Sequence, residues 1–300
     1  MIRSAAGERV QQKEGAGLLG TCAALCILAK PGITAALTFS GFTGMVLAAR
    51  GLPPPELAVP ALSSLLLMSA GSALGNTLLD RRMDLQMERL TLRSQALRQV
   101  GAGPALTFAI VLTAAALAIA SALLSTRAAL LLLAAALSYL LYYTLFLKRH
   151  THWAAVLGGL PGALPVLIGH AAVAPHPDWA SLALFLIMLI WQPPHFWLLA
   201  LAHREEYRAA GVPVLPLVKG ERFTRSCIYA GLAALVPASL LLALPGPCSP
   251  GYAACAFALA SCYLAACHHL MQSARYRAAF RGSIAYLLLL FLLIIADLSL

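Results

Sequence analysis

Nine stretches of this 300-residue chain stay apolar for close to the roughly 20 residues that a helix needs to cross a bilayer. They fall near residues 31–50, 57–79, 103–124, 127–147, 153–174, 179–202, 224–245, 251–271 and 280–298. Lipid offers backbone groups no hydrogen bonds, so runs of this kind must close their bonds internally, as helices do. Composition agrees: 61% of residues are hydrophobic and 11% are charged, with a mean hydropathy of +0.82, where soluble domains carry about a quarter charged residues. The predicted fold is all-α, a polytopic membrane protein of about nine transmembrane helices around a central cavity. The longest polar connections, 80–102 and 203–223, are too short to hide a soluble domain. Residues 1–300 are therefore expected to form one transmembrane domain, with 1–30 as a cytoplasmic N-terminal segment.

The basic residues alternate between the loops. Nineteen of the 21 lysines and arginines fall on one side, and only Arg50 and Arg127 on the other. This positive-inside bias predicts that the N-terminus and the loops 80–102 and 203–223 face the cytoplasm, with the C-terminus and Asp297 outside. The net charge of +10 is then a matter of topology, and no nucleic-acid partner is expected. Residues 17–29 are apolar but short for a separate crossing and read as an interfacial segment, an N-terminal extension of the first span or a signal-peptide core. The seven cysteines form no paired C-x-x-C units and read as small hydrophobes. His268 and His269, adjacent on a helix, point about 100° apart and read as interfacial polar residues. No long Arg/Ser-rich transit peptide precedes the first span, which favours a bacterial plasma membrane.

Two polar clusters interrupt this pattern, each at the end of a span. Carboxylates are costly beside lipid, so they persist there where a cavity, an ion or a substrate uses them. In the first cluster Asn76, Asp80 and Asp84 are spaced by four, which lines them along one helical face with a drift of about 40° per step. An amide oxygen and two carboxylates suit Mg²⁺, which takes hard oxygen ligands and leaves positions for water and phosphate. Arg89 and Arg93, also four apart, suit the diphosphate oxygens that Mg²⁺ leaves unsatisfied. A solvated loop start with local ion pairs is the simpler alternative. The second cluster runs from Trp191-Gln192-Pro193-Pro194-His195-Phe196-Trp197 to Glu205, Glu206 and Tyr207. If the helix continued beyond Pro194, His195 and Glu206 would share a face about 16 Å apart. Pro193 and Pro194 are expected to disrupt that helix and free carbonyls near His195.

The pattern Asn76-x3-Asp80-Arg81-x-x-Asp84-x-x-Met87-x-Arg89-x3-Arg93, followed by Trp191-Gln192-x-Pro194-His195-Phe196-Trp197, resembles a known group. So does Tyr207-x-x-Ala210-Gly211-x-Pro213-x-Leu215-Pro216. The chain resembles the heme O synthase family of intramembrane aromatic prenyltransferases. Lys30-Pro31, Tyr143-Thr144 through Lys148-Arg149, and Gly158-Gly159 through Gly169 add to the similarity, which covers roughly residues 28–225 in register. Glu205-Glu206 stand where that family usually shows two aspartates, Leu90 and Ser94 where it usually has Thr and Pro, Pro193 where it has Met, and Ala154 where it has Asn.

The resemblance implies transfer of a farnesyl group from farnesyl diphosphate to a vinyl group of heme B, with addition of water, giving heme O. It implies Mg²⁺ held by Asn76, Asp80, Asp84, Glu205 and Glu206. It implies catalytic roles for Asp80, Asp84, Arg89, Arg93 and His195, and substrate contacts from Asn76, Lys148, Arg149, Trp191 and Tyr207. His195 would ligate iron, contact a propionate or place the capturing water. Farnesyl diphosphate, heme B and the bilayer are the implied partners, with heme A synthase or oxidase assembly proteins receiving the product. A prenyltransferase for a quinone precursor or tetrapyrrole would lack the histidine block. A carrier for heme or lipid would show paired repeats, and no second copy of the first motif is found.

Overall fold

The computed structural model describes residues 18–244 and 246–299; the expected N-terminal segment thus lies largely outside the described residues. The chain is helical throughout that part. In order it forms α1 (Leu18–Leu28), α2 (Pro31–Ala49), α3 (Pro55–Asp84), α4 (Thr91–Val100), α5 (Ala102–Leu123) and α6 (Thr126–Leu137). A π-helical stretch, Ser138–Leu147, leads into α7 (Lys148–His150). Then come α8 (Ala154–Leu157), α9 (Leu160–Val173), α10 (Trp179–Ala202), α11 (Arg204–Ala209) and α12 (Leu215–Val218), and finally α13 (Gly220–Leu240), α14 (Pro250–Gln272) and α15 (Tyr276–Ser299).

Among the described residues nine helical segments are long and apolar enough to cross a membrane, in the expected places. α6, the π-helical stretch and α7 together make the fourth, Thr126–His150, and α8 with α9 makes the fifth, Ala154–Val173. The chain is a multi-pass membrane protein. α1 is apolar but only 11 residues long. It packs Ala24 and Leu28 against Leu74, Ala96, Ala105 and Ala109 of its neighbours and leaves Leu19 and Ile27 exposed, as an interfacial helix does.

Small residues set the closest helix crossings, as they do where lipid tails compete with side chains for contact. Gly41 and Gly44 of α2 face Gly169, Pro165 and Val166 of α9; a Cβ at Gly44 or Gly169 would collide with the facing backbone carbonyl. Gly231 of α13 leaves room for the ring of Pro194, which a Cβ there would strike. That space accompanies one departure from expectation. α10 runs unbroken through Pro193 and Pro194, both buried, and ends only at His203. His195 and Glu206 therefore do not share one continuous helix, and the face expected to join them does not form.

The two expected cytoplasmic loops are also largely helical. α3 continues beyond the apolar span to Asp84, as the spacing of Asn76, Asp80 and Asp84 requires; all three are buried against neighbouring helices, and their polar groups are held by side chains from those helices. A 3₁₀ turn, Glu88–Leu90, and α4 follow. In the fourth span the backbone widens: Thr144 Oγ1 donates to the carbonyl of Tyr139 five residues back, within the π-helical stretch. π-helical turns often mark functional sites, since they re-aim the side chains that follow.

Candidate active site

The last turns of α3 bring the first polar cluster together. Asn76, Asp80 and Asp84 are 5%, 1% and 3% exposed. Asn76 uses both amide protons and one oxygen lone pair on named partners. Its Nδ2 donates to Asp80 Oδ2 (2.9 Å) and to Thr144 Oγ1 (3.0 Å), and its Oδ1 accepts from Lys30 Nζ. Lys30 sits at the bend between α1 and α2 with φ 52° and ψ 64°, a left-handed conformation that costs an L-residue about 1–2 kcal/mol. Burial pushes its ammonium down to about 7, helped by the Arg93 charge and opposed by the carboxylates of Asp84 and Asp80.

The π-helical turn delivers the fourth span's cations to the same place. Lys148 Nζ donates to Asp80 Oδ2 at 2.5 Å. Arg149 Nη2 donates to the carbonyl of Leu79 at 3.0 Å and lies 3.8 Å from Asp80 Oδ1. Arg93 Nη1 reaches Asp84 Oδ2 at 3.3 Å from α4. Two buried carboxylates are thus ringed by Lys30, Lys148, Arg149 and Arg93. One oxygen remains open: Asp80 Oδ1 is buried and accepts no hydrogen bond. An unpaired buried carboxylate oxygen beside a second carboxylate fits a divalent cation with hard-ligand preference.

The second cluster divides in two. Glu206 turns toward the first cluster: its Oε1 accepts from His203 Nδ1 at 2.7 Å, and its Oε2 lies 3.4 Å from Arg89 Nε. The Arg89 guanidinium lies 4.8 Å over the ring of Tyr207, which is buried and packs on Phe196 of α10 at 6.0 Å. Glu205 faces the other way, 75% exposed at its side chain and paired with Arg208. Among the described residues no three acidic, histidine or cysteine side chains come within joint reach of one ion. The five expected oxygen donors are therefore arranged as Asn76, Asp80 and Asp84 on α3, Glu206 held across Arg89, and Glu205 at the surface.

His195 makes its contacts on α10 and α15. It stacks between Trp191 and Phe280, with its Nδ1 on Ser283 of α15. The expected histidine and carboxylate residues thus form two neighbouring centres. They are joined where Phe196, the next residue along α10, meets Tyr207. Between α1, α2 and the α4 region a cleft of about 300 Å³ opens, with Lys30, Arg89 and Arg93 inside and Ile27, Ile33 and Leu92 at its rim. An apolar rim over three cations matches an amphiphile with an anionic head.

Lys30, Thr144, Phe280 and Ser283 were not among the expected site residues. Lys30-Pro31 and Tyr143-Thr144 carry a signal in the motif match, whereas Ser283 lies in a helix whose sequence is distinguished only by hydropathy.

Comparison with known proteins bears on this geometry. The UbiA prenyltransferase family model matches residues 37–295. The protoheme IX farnesyltransferase of Geotalea uraniireducens (strain Rf4) is 45% identical over 258 residues, covering 84% of this chain and 98% of that protein. The protein of the same name from Hahella chejuensis (strain KCTC 2396) is 38% identical over 274 residues, covering 90% and 91%. Among solved structures, a UbiA homolog from Aeropyrum pernix K1 superposes with a TM-score of 0.75 at 18% identity, covering 89% of this chain and 98% of that one. A UbiA homolog from Archaeoglobus fulgidus bound to DMAPP and Mg²⁺ gives a TM-score of 0.66 at 17% identity, covering 90% and 98%. With the family match running from within α2 to within α15, and these relatives similar across almost their whole length, the chain belongs to the UbiA prenyltransferase family.

Proposed function

We propose that this protein transfers a farnesyl group from farnesyl diphosphate to a vinyl group of heme B, with addition of water, to give heme O. The observation that carries the reading is the buried pair Asp80 and Asp84, ringed by cations of which Lys30 and Arg93 also line a cleft with an apolar rim. The relatives named protoheme IX farnesyltransferase support heme B as acceptor and farnesyl diphosphate as donor. The basic face is proposed to be cytoplasmic, in the plasma membrane of a bacterium, with the C-terminus on the opposite side.

Asp80 and Asp84, with Asn76 on the same face of α3, would hold Mg²⁺. Its Mg-bound solved neighbour supports that reading. When bound, Mg²⁺ supplies charge neutralisation to the diphosphate as it leaves. The chain's own residues do the rest. Lys30, Arg89 and Arg93 line the cleft and receive the anionic head. As the allylic carbon–oxygen bond breaks, negative charge grows on the diphosphate. Preorganised cations stabilise that change without reorganising, which is where most of the acceleration arises. Lys148 and Arg149 hold Asp80 oriented from the other side. Glu206 holds Arg89, and Tyr207 supports its guanidinium, so the arginine stays aimed.

The vinyl carbon of heme B then attacks the allylic cation, forming the new carbon–carbon bond. Water adds to the resulting cation and loses a proton, which leaves a hydroxyethylfarnesyl side chain. Burial of the carboxylate centre keeps water away until the carbon–carbon bond forms, which suppresses hydrolysis to farnesol. His195, on the neighbouring centre, positions the heme. The reading is tested by incubating purified protein in nanodiscs with heme B, farnesyl diphosphate and Mg²⁺ and taking a mass spectrum of the extracted heme. Heme carrying one farnesyl group and one water is expected. Unmodified heme together with prenylated 4-hydroxybenzoate, supplied in a parallel reaction, would assign a different acceptor.

A further inference from the structure

His195 is held by α15, a helix that none of the sequence motifs includes. Its imidazole lies between two aromatic rings. The Trp191 ring is 4.3 Å away at 21°, and the Phe280 ring 4.5 Å away at 29°, so both faces of the imidazole are covered. Its Nδ1 is 2.5 Å from Ser283 Oγ. Ser283 is fully buried, and its Oγ is also 2.6 Å from the carbonyl oxygen of Phe280. The Trp191 indole closes the arrangement, donating from Nε1 to the Ser283 carbonyl at 2.9 Å.

These contacts bear on where the imidazole proton sits. A serine hydroxyl has one proton to give, and a carbonyl oxygen can only accept. With the Ser283 proton on the Phe280 carbonyl, Ser283 Oγ meets Nδ1 as an acceptor. The proton of a neutral imidazole is then on Nδ1, and its lone pair is on Nε2. Among the described residues Nε2 has no hydrogen-bond partner, and it is not sealed from the surface. With both faces stacked and Nδ1 committed, the Nε2 edge is what this side chain presents. Histidines that bind metals share this arrangement: the second ring nitrogen donates to a protein acceptor, which sets the tautomer and the ring plane.

We propose that Ser283 is a positioning residue that holds His195 as the Nδ1–H tautomer and so presents the Nε2 lone pair to the iron of the porphyrin substrate. This rests on heme being the acceptor, as argued above. Iron ligation along the Nε2 edge would stand the porphyrin across the end of the Trp191/His195/Phe280 stack. The neighbouring Phe196 packs on Tyr207, beside Arg89, so the same stretch of α10 borders both centres.

The test uses the full-length protein in nanodiscs with ¹⁵N-labelled histidine, and the His195→Ala variant assigns the resonance. Wild type without heme is expected to show a protonated Nδ1 and a bare Nε2 at His195; this needs no variant to fold. Ferric heme is expected to remove that resonance and to give the absorption spectrum of nitrogen-ligated heme. Ser283→Ala should weaken ferric heme binding at least about tenfold, the usual scale for loss of a partner to a metal-bound histidine. It should leave the affinity for metal-free protoporphyrin IX unchanged, and Ser283→Thr, which keeps the hydroxyl, should restore ferric heme binding. An Nε2–H tautomer in wild type overturns the proposal. So does Ser283→Ala weakening both porphyrins equally, or neither. Wild type that ligates heme through His195 but forms no farnesylated heme would sink the proposed reaction while leaving the role of Ser283 standing.

Discussion

Arg89 Nε lies 3.4 Å from Glu206 Oε2, and this ion pair ties the two polar clusters together. The second cluster meets the first through an arginine that also lies over Tyr207, while its other carboxylate, Glu205, looks outward. In the proposed mechanism Glu206 keeps Arg89 aimed at the departing diphosphate.

The two adjacent glutamates should therefore behave differently. Glu206→Gln is expected to lower kcat/KM for farnesyl diphosphate at least about tenfold, equivalent to about 1.4 kcal/mol of transition-state stabilisation. Glu205→Gln should stay within about twofold, because exposed ion pairs contribute about 0–1 kcal/mol. Steady-state kinetics on the two variants compares them directly. Equal losses would mean that both carboxylates serve the site.

Thr144 accepts from Asn76 Nδ2 and donates to the Tyr139 carbonyl, at the point where the helix widens. Thr144→Val keeps the shape and removes both bonds. It strands a buried amide hydrogen, at a cost of about 1–3 kcal/mol. A lower melting temperature together with slower turnover is expected, and Thr144→Ser should recover both. A Thr144→Val protein that melts and turns over like wild type would show that Asn76 needs no support from the fourth span.

How much of this was legible in the sequence depended on whether the signal was local. Nine spans follow from hydropathy, because each helix must close its own hydrogen bonds in lipid, and all nine stand where expected. The spacing of Asn76, Asp80 and Asp84 implied one helical face, which α3 carries to Asp84, but not their partners, which come from α4, the fourth span and the α1–α2 bend. The helix break expected at Pro193-Pro194 is absent, and Gly231, on another helix, clears space for the Pro194 ring. Proline chemistry is local, but the space that accommodates it is not. Ser283 was invisible for the same reason: a serine in an apolar helix has no motif, and its meaning comes from His195, 88 residues earlier.

The tight crossing of α2 and α9 makes a prediction about stability alone. Gly44→Ala or Gly169→Ala would drive a methyl group into a facing backbone carbonyl. Overpacking of this kind typically costs about 1–3 kcal/mol. Thermal melting in detergent is expected to fall for both, with the Mg²⁺ requirement unchanged. An unaltered melt would mean that the two helices can separate without penalty.

Chelation should separate the two centres. Removing divalent cations with EDTA is expected to abolish farnesyl transfer and diphosphate release, because Asp80 and Asp84 alone carry the wrong charge for a diphosphate. Heme binding, read from the absorption spectrum, should persist, since His195 is held by Trp191, Phe280 and Ser283. Loss of heme binding on chelation would indicate that the two centres are one.

In the proposed reaction ionisation belongs to the Asp80 centre and heme placement to the His195 centre. The most direct test measures released diphosphate and farnesylated heme in parallel, in wild type, Asp80→Ala and His195→Ala. Asp80→Ala is predicted to lose both products by at least about a hundredfold, the scale of removing a preorganised electrostatic group. His195→Ala is predicted to go on releasing diphosphate, with farnesol accumulating, while farnesylated heme disappears. Diphosphate release that survives in Asp80→Ala, or that vanishes in His195→Ala, would contradict this division of labour.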